Sequence, residues 1–330
     1  LDVAKSLFKL AVANSGSRKT ALCTDGAGGK FYRSSTYYDD MCWGAIWLYT
    51  ATGSSTYLDS VDQWIETGNN TLIFDSNYHG DLFKWEWVPA WENVNLFVLL
   101  KMSELTGNDK YYQALIWNLE WFRDSVKKSP FGLPILSEWG PLRYASSEAG
   151  LGFLAYKLLG YNGFTEMGSF IIDYCLGANA EKRSYITGWG HNPPMHPHHR
   201  ANEPKKGGAT NNIIGALVGG PTDDSYKDDV NNYIETEVAL DYNASFILGL
   251  VGQMYLKSGG KSKNRAPSVS ITSPKKGISV PEGSSINVIV EAHDADGKVE
   301  KIELYEGKKL LGSTSTSPYQ YTLKHSGAGV

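Results

Sequence analysis

The chain of 330 residues is long enough for a sizeable core and for more than one domain. Its net charge of −4 gives no electrostatic reason to expect nucleic acid or an anionic membrane surface as partner. No apolar run approaches the roughly 18 residues of a membrane span, and Cys23, Cys42 and Cys175 form an odd set without the close spacing of a disulfide framework or a zinc site.

The first residue is Leu1, so the natural start is expected upstream, and no signal peptide is visible in the chain. From Leu1 to about Tyr255 apolar residues recur at helical spacing, most clearly over residues 41–50, 94–105, 111–126, 149–159 and 170–176. Cys42 falls in one such run and is expected to be buried. Two helix ends look alike. Gly53 follows Leu48-Tyr49-Thr50-Ala51-Thr52, Gly107 follows Met102-Ser103-Glu104-Leu105-Thr106, and each leads by a short polar turn into the next helix. Repeated αα-hairpins of this kind predict an α/α solenoid or a closed toroid. Before the first strong helix, residues 34–40 read Ser-Ser-Thr-Tyr-Tyr-Asp-Asp, a run of oxygen donors suited to a hard cation. The plain alternative is a helix start with acidic first-turn residues.

Ten Trp and twenty Tyr are many for this length, and such rings stack on sugar faces as readily as they fill cores. Spacing does not separate the two roles for Trp85, Trp87 and Trp91. Residues 139–144, Trp-Gly-Pro-Leu-Arg-Tyr, form a loop at a helix start. The densest chemistry lies at residues 184–200, where Pro193, Pro194 and Pro197 forbid an interior strand or helix and leave a stiff loop. That loop presents His196, His198, His199 and Arg200, donors suited to oxygen-rich ligands. A zinc reading is weak on spacing, since His-x-His-His across a proline fits neither His-Glu-x-x-His nor a Cys/His finger, and the plain alternative is that these His residues cap and solvate the loop. Asp228, Asp229, Glu235, Glu237 and Asp241 crowd the next stretch, and a buried helix is predicted from about Glu237 to Tyr255. A carboxylate at the mouth of such a helix is partly desolvated and suited to general-acid work. The plain alternative for Glu237 is a first-turn acid facing the helix dipole.

Residues 257–267 are rich in Gly, Ser and Lys and read as a linker. Beyond it, residues 268–272, 285–292, 299–305 and 319–323 alternate as short strands, with Asp296-Gly297 as a turn signal.

Two stretches carry a family resemblance. Ser184, Ile186, Thr187, Gly190, Asn192, Pro197, His198 and Arg200 match one active-site signature of glycoside hydrolase family 9, the inverting cellulases. Tyr226, Asp228, Tyr233, Glu237, Ala239, Asn243 and Ala244 match the other, in the same order. The resemblance implies an all-α (α/α)6 barrel, represented at residues 1–256 by about seven or eight of its twelve helices with the N-terminal ones missing. Residues 268–330 resemble a bacterial immunoglobulin-like module, a small β-sandwich whose last one or two strands would lie beyond Val330, leaving an unpaired edge.

The resemblance further implies hydrolysis of internal β-1,4-glucosidic bonds in cellulose or a soluble β-1,4-glucan. Glu237 would be the general acid, Asp228 would support the site, and His198 and Arg200 would bind sugar beside the scissile bond. Trp139 would be a stacking platform, with Arg143 and Tyr233 as further cleft contacts. Inversion needs a second carboxylate about 6.5–9.5 Å from the acid. In this family it comes from an Asp-Ala-Gly-Asp motif, which the chain does not contain; the nearest likeness, Thr24-Asp25-Gly26-Ala27-Gly28, lacks the second Asp. A structural Ca2+ is implied at Ser35, Thr36, Asp39 and Asp40, closed by Glu92 where an Asp is usual. Secretion and further modules at both ends are expected. The alternative is a non-catalytic glucan-binding protein on a degenerate barrel, and a partner chain supplying the missing helices is a further possibility.

Overall fold

The computed structural model describes residues 1–15, 37–66, 84–200, 202, 213–264, 267–275, 277–281, 283–294 and 298–324. The chain divides into two compact units, Leu1–Leu158 with Asn162–Lys261, and Leu159–Tyr161 with Ser262–Val330.

The described helices of the first unit are α1 (Asp2–Asn14), α2 (Tyr38–Thr52), α3 (Thr56–Glu66), α4 (Asn95–Thr106), α5 (Asp109–Asp124), α6 (Pro141–Leu159), α7 (Thr165–Leu176), the single turn α8 (Tyr233–Thr236) and α9 (Leu240–Lys257). Helices α2 and α3 pack as one hairpin, α4 and α5 as the next, and α2 lies against α4. The two hairpin turns use the same chemistry. Gly53 and Gly107 take the left-handed conformation, at φ 71° and 65°, and their N–H groups close the last helical turn on Tyr49 O and Ser103 O. Just before them, Thr52 and Thr106 donate their hydroxyls to Leu48 O and Met102 O and accept from Ser54 N and Asn108 N.

Buried aliphatic and aromatic side chains hold these helices together. Ile46, Leu96, Leu99, Leu115, Phe122, Ile171 and Tyr174 are all at most 1% exposed, and each such Leu, Ile or Phe contributes about 1.5–3 kcal/mol by leaving water. Cys42 is buried and free, as expected. Helix α6 starts earlier than the periodicity alone indicates, at Pro141, because a proline in the first turn loses no hydrogen bond and has its φ preset. Near its middle, α9 passes close to its neighbours. A Cβ at Gly252 would lie 2.4 Å from Phe153, and one at Gly249 2.6 Å from Ile172.

The second unit pairs β1 (Ser268–Ser273), β2 (Ser285–His293) and β5 (Tyr319–Lys324) in the order β1-β2-β5, and β3 (Ile302–Glu306) with β4 (Lys309–Thr314). All described pairings are antiparallel. Val288, Val290, Ile302 and Tyr321 form its core, and the Tyr321 hydroxyl donates to Ile302 O at 2.7 Å. The third strand starts at Ile302 rather than near residue 299. Strand β4 was hidden from the sequence because Lys309-Leu310-Leu311-Gly312 does not alternate; a bulge between Leu304 and Tyr305 absorbs the mismatch. Asp296-Gly297 lies outside the described residues.

Candidate active site

Four segments distant in sequence meet in an irregular ladder. Thr187 N–H donates to Ala216 O at 2.9 Å, Val218 N–H to Tyr185 O at 3.1 Å, Gly219 N–H to Glu237 O at 3.0 Å and His198 N–H to Thr236 O at 2.8 Å. The loop before α6 joins through Gly140 N–H to Ile234 O and Leu142 N–H to Gly219 O. Gly219 is confined here, since a Cβ would lie 2.6 Å from Ile234 O. Asn243 steadies the ladder from α9, its Oδ1 accepting from Leu217 N and its Nδ2 donating to Gly215 O.

This pairing corrects the expectation for Glu237. The residue does not open the helix; it is extended, at φ −58° and ψ 143°, between α8 and α9. Its carbonyl is taken by Gly219, and Val238 bridges to Val218, so strand-like bonds outcompete helix until Leu240. The first-turn acid of α9 is Asp241 instead.

The Glu237 carboxylate accepts the Trp139 Nε1–H at 2.7 Å and the Tyr242 hydroxyl at 3.0 Å, both on Oε2. Tyr242 is fully buried, and burial pushes its hydroxyl far above the ordinary range, so it remains a donor. Gly140, at φ 65°, makes room for it: a Cβ there would stand 2.6 Å from the Tyr242 oxygen. Arg143 lies over the Tyr144 and Tyr242 rings at 4.3 and 5.0 Å and donates to Asp241 Oδ2 at 3.4 Å and to the Tyr144 hydroxyl at 2.5 Å.

Beside Glu237 the rings of Trp139 and Tyr233 stand 5.0 Å apart, both more than 40% exposed, and the His198 ring lies 5.8 Å from Tyr233. His198 Nδ1 is 2.7 Å from Val230 O. A carbonyl only accepts, so Nδ1 carries the hydrogen and Nε2 is left for a ligand. Asp228 accepts from Met195 N, His196 N and His196 Nδ1. Arg200 is exposed and makes no hydrogen bond or ion pair to the described residues. Trp91 is 40% exposed, whereas Trp85 and Trp87 are half-buried and give their carbonyls to Asn118 Nδ2.

Among the described residues no group of three or more His, Cys, Asp or Glu is placed to hold a metal. Asp39 nonetheless fits the expected cation contact. It is fully buried at the start of α2, its Oδ2 accepts from Val94 N at 2.9 Å, and its Oδ1 is buried without a partner. Burial pushes its pKa up to about 6, although the Val94 N–H opposes the shift. Asp40 follows it in the first turn, and Glu92 sits in the turn between Ala90 and Asn93. Ser35 and Thr36, like Cys23 and residues 24–28, lie outside the described residues.

Two contributors were missed in the sequence. Tyr242 lies inside the helix predicted from about Glu237 to Tyr255 and was not singled out. Asp224 carried no motif signal, yet at φ 65° it accepts from Ser129 Oγ, Tyr174 OH and Phe131 N and ties three segments below the loop. An Asp in Thr222-Asp223-Asp224-Ser225-Tyr226 offers no local cue to contacts so far away.

Residues 1–250 match glycosyl hydrolase family 9, and residues 267–329 match a bacterial Ig domain. Endoglucanase A of Bacillus pumilus is 32% identical over 259 residues, covering 71% of this chain and 37% of the relative. An endoglucanase of Dictyostelium discoideum is 36% identical over 229 residues, covering 66% of this chain and 30% of the relative. Among solved structures, the cellulase Cel9M of C. cellulolyticum in complex with cellobiose is similar at a TM-score of 0.66 and 34% identity, covering 79% of this chain and 58% of that one. Endoglucanase CelQ of Clostridium thermocellum, complexed with cellobiose and cellotriose, is similar at 0.66 and 29%, covering 89% and 51%. The helical unit is thus of the α/α-barrel type, and the chain spans about a third of the length of these curated relatives. Because the family match covers well over half of the chain and runs through every side chain of the ladder and of its carboxylate, the chain belongs to glycosyl hydrolase family 9.

Proposed function

We propose that this chain carries the acid side of an endo-β-1,4-glucanase site that cleaves cellulose or a related β-glucan with inversion. The observation that carries the reading is Glu237, held by Trp139 and Tyr242 on one oxygen and standing beside the exposed rings of Trp139 and Tyr233. With Oε2 engaged as acceptor, Oε1 is the oxygen that presents the proton to the leaving glycosidic oxygen. Trp139 and Tyr233 stack on sugar faces, and His198 Nε2 and Arg200 take sugar hydroxyls. Arg143 orders Asp241 and Tyr242 and adds a polar edge, and Asp228 anchors the His loop. The base carboxylate comes from outside this chain, in keeping with the absence of an Asp-Ala-Gly-Asp motif. Calcium, when bound, would supply local charge at the start of α2. Asp39, Asp40 and Glu92, with Ser35 and Thr36, would hold it through oxygen ligands. The names of the relatives and the cellobiose in the Cel9M complex support the substrate class, and secretion follows from an insoluble extracellular polymer as substrate.

The test is release of reducing ends from carboxymethylcellulose by this chain and by a version extended upstream, with the product anomer followed by proton NMR. The α-anomer is expected, and a β-anomer overturns inversion. Glu237→Gln should lower turnover of unactivated glucan by about 10²-fold or more, and far less on a dinitrophenyl cellobioside, whose leaving group needs no proton. Equal loss on both substrates removes Glu237 from the acid role. Cello-oligosaccharide binding without hydrolysis by either protein favours the glucan-binding alternative.

A further inference from the structure

The Asp228 carboxylate is filled by one dipeptide. Oδ2 accepts the Met195 N–H at 2.9 Å, Oδ1 accepts the His196 N–H at 3.0 Å, and His196 Nδ1 lies 2.9 Å from Oδ2. The carboxylate only accepts, so Nδ1 is the donor. Two residues on, His198 is tied by its N–H to Thr236 O at 2.8 Å and by its ring to Val230 O at 2.7 Å. Pro197 between them has a fixed φ, so the piece from His196 to His198 transmits position rather than absorbing it. The same piece is bridged in parallel to Glu237.

An exposed His–Asp pair by itself contributes little, and the His196 side chain is 58% exposed. Here, however, the pair is the third contact on a carboxylate whose other two bonds are backbone N–H groups of the same dipeptide. The two N–H groups, one on each oxygen, locate the dipeptide and orient the carboxylate, and the ring adds a second donor on Oδ2 that ties the His196 side chain to the same group. Without the ring the dipeptide is held by two bonds rather than three.

We propose that His196 is a positioning residue, which acts through Asp228 to set where His198 stands against Glu237. Its effect on turnover rests on the function proposed above; its effect on the loop does not.

The experiment compares His196→Ala and His196→Asn in the full chain, since the Asn side-chain nitrogen sits the same number of bonds from Cα as His Nδ1. Amide hydrogen exchange across residues 195–198 is expected to speed up about tenfold in His196→Ala, the factor for one lost charge-assisted bond of modest strength, and to return toward wild type in His196→Asn. In the form that hydrolyses glucan, kcat should fall about tenfold in His196→Ala with KM nearly unchanged, and His196→Asn should restore it. Unchanged exchange in His196→Ala, or exchange equally fast in both variants, overturns the proposal. So does a loss confined to KM, which would make His196 a sugar contact. If wild type hydrolyses no glucan in any form, the proposed function fails, and the exchange measurement alone decides the role of His196.

Discussion

Glu148 occupies the middle of α6 with no exposure and with neither carboxylate oxygen hydrogen-bonded. Burial holds its pKa well above the ordinary value, so the folded chain keeps the proton that the unfolded chain releases above about pH 4.5. Stability therefore falls as pH rises through that window, by about 1.4 kcal/mol per pH unit, until the folded pKa is reached. Glu148→Gln retains the shape and removes the titration. The variant should melt at a higher temperature than wild type, with a gain that widens as pH rises above about 4.5 until the folded pKa is reached. Thermal unfolding across that range checks it, and a gain that does not grow with pH argues against a buried neutral acid. At the same scale, the catalytic candidates Glu237, His198 and Asp228 were legible as motif residues, because their identities alone carry the pattern. Trp139 was expected from the family resemblance as a sugar platform, but its bond to Glu237 was not legible, since that contact spans 98 positions of sequence.

Helix α2 is the element on which burial meets the proposed cation. Asp39 is raised to about 6 by burial, so in the absence of a cation its contribution to stability declines between about pH 3.8 and pH 6, in total about 3 kcal/mol. A calcium ion binding the carboxylate must displace that proton, which is easy above pH 6 and hard below it. Calcium should therefore raise the melting temperature more at pH 7 than at pH 5, relative to EDTA, and Asp39→Asn should abolish the difference. Equal effects at both pH values, or none at pH 7, would remove Asp39 from the ligand set. The αα-hairpins around α2 and α4 were readable because Thr-Gly at a helix end is a local signal, and the structure places both glycines at positive φ as that signal requires. The start of α9 was not readable. Residues 237–239 have helical composition, yet their backbone groups pair with residues 218 and 219, and no local rule announces that competition.

At the scale of the molecule, α9 shows an apolar stripe to solvent: Leu240 is 92% exposed, Ile247 53%, Val251 57% and Met254 62%. Apolar side chains repeated at helical spacing on an uncovered face favour association. Replacing Ile247, Val251 and Met254 by Lys, Glu and Gln should lower dye binding to exposed apolar surface and shift the chain toward monomer as concentration rises, in sedimentation velocity. Wild type that is monomeric throughout and binds no dye would show that this face is not adhesive.

By itself the sequence determined the helical class of residues 1–250, the positions of the hairpin turns, the strand-rich module that follows, and the family, since each rests on periodicity, turn chemistry or short motifs within a few residues. Only the tertiary structure decided that Glu237 is extended, that Tyr242 and Trp139 share one of its oxygens, that Asp224 ties the loops below it and that Asp39 and Glu148 hold protons unusually tightly. Those properties depend on desolvation and on partners far away in the chain, and neither is written in local sequence.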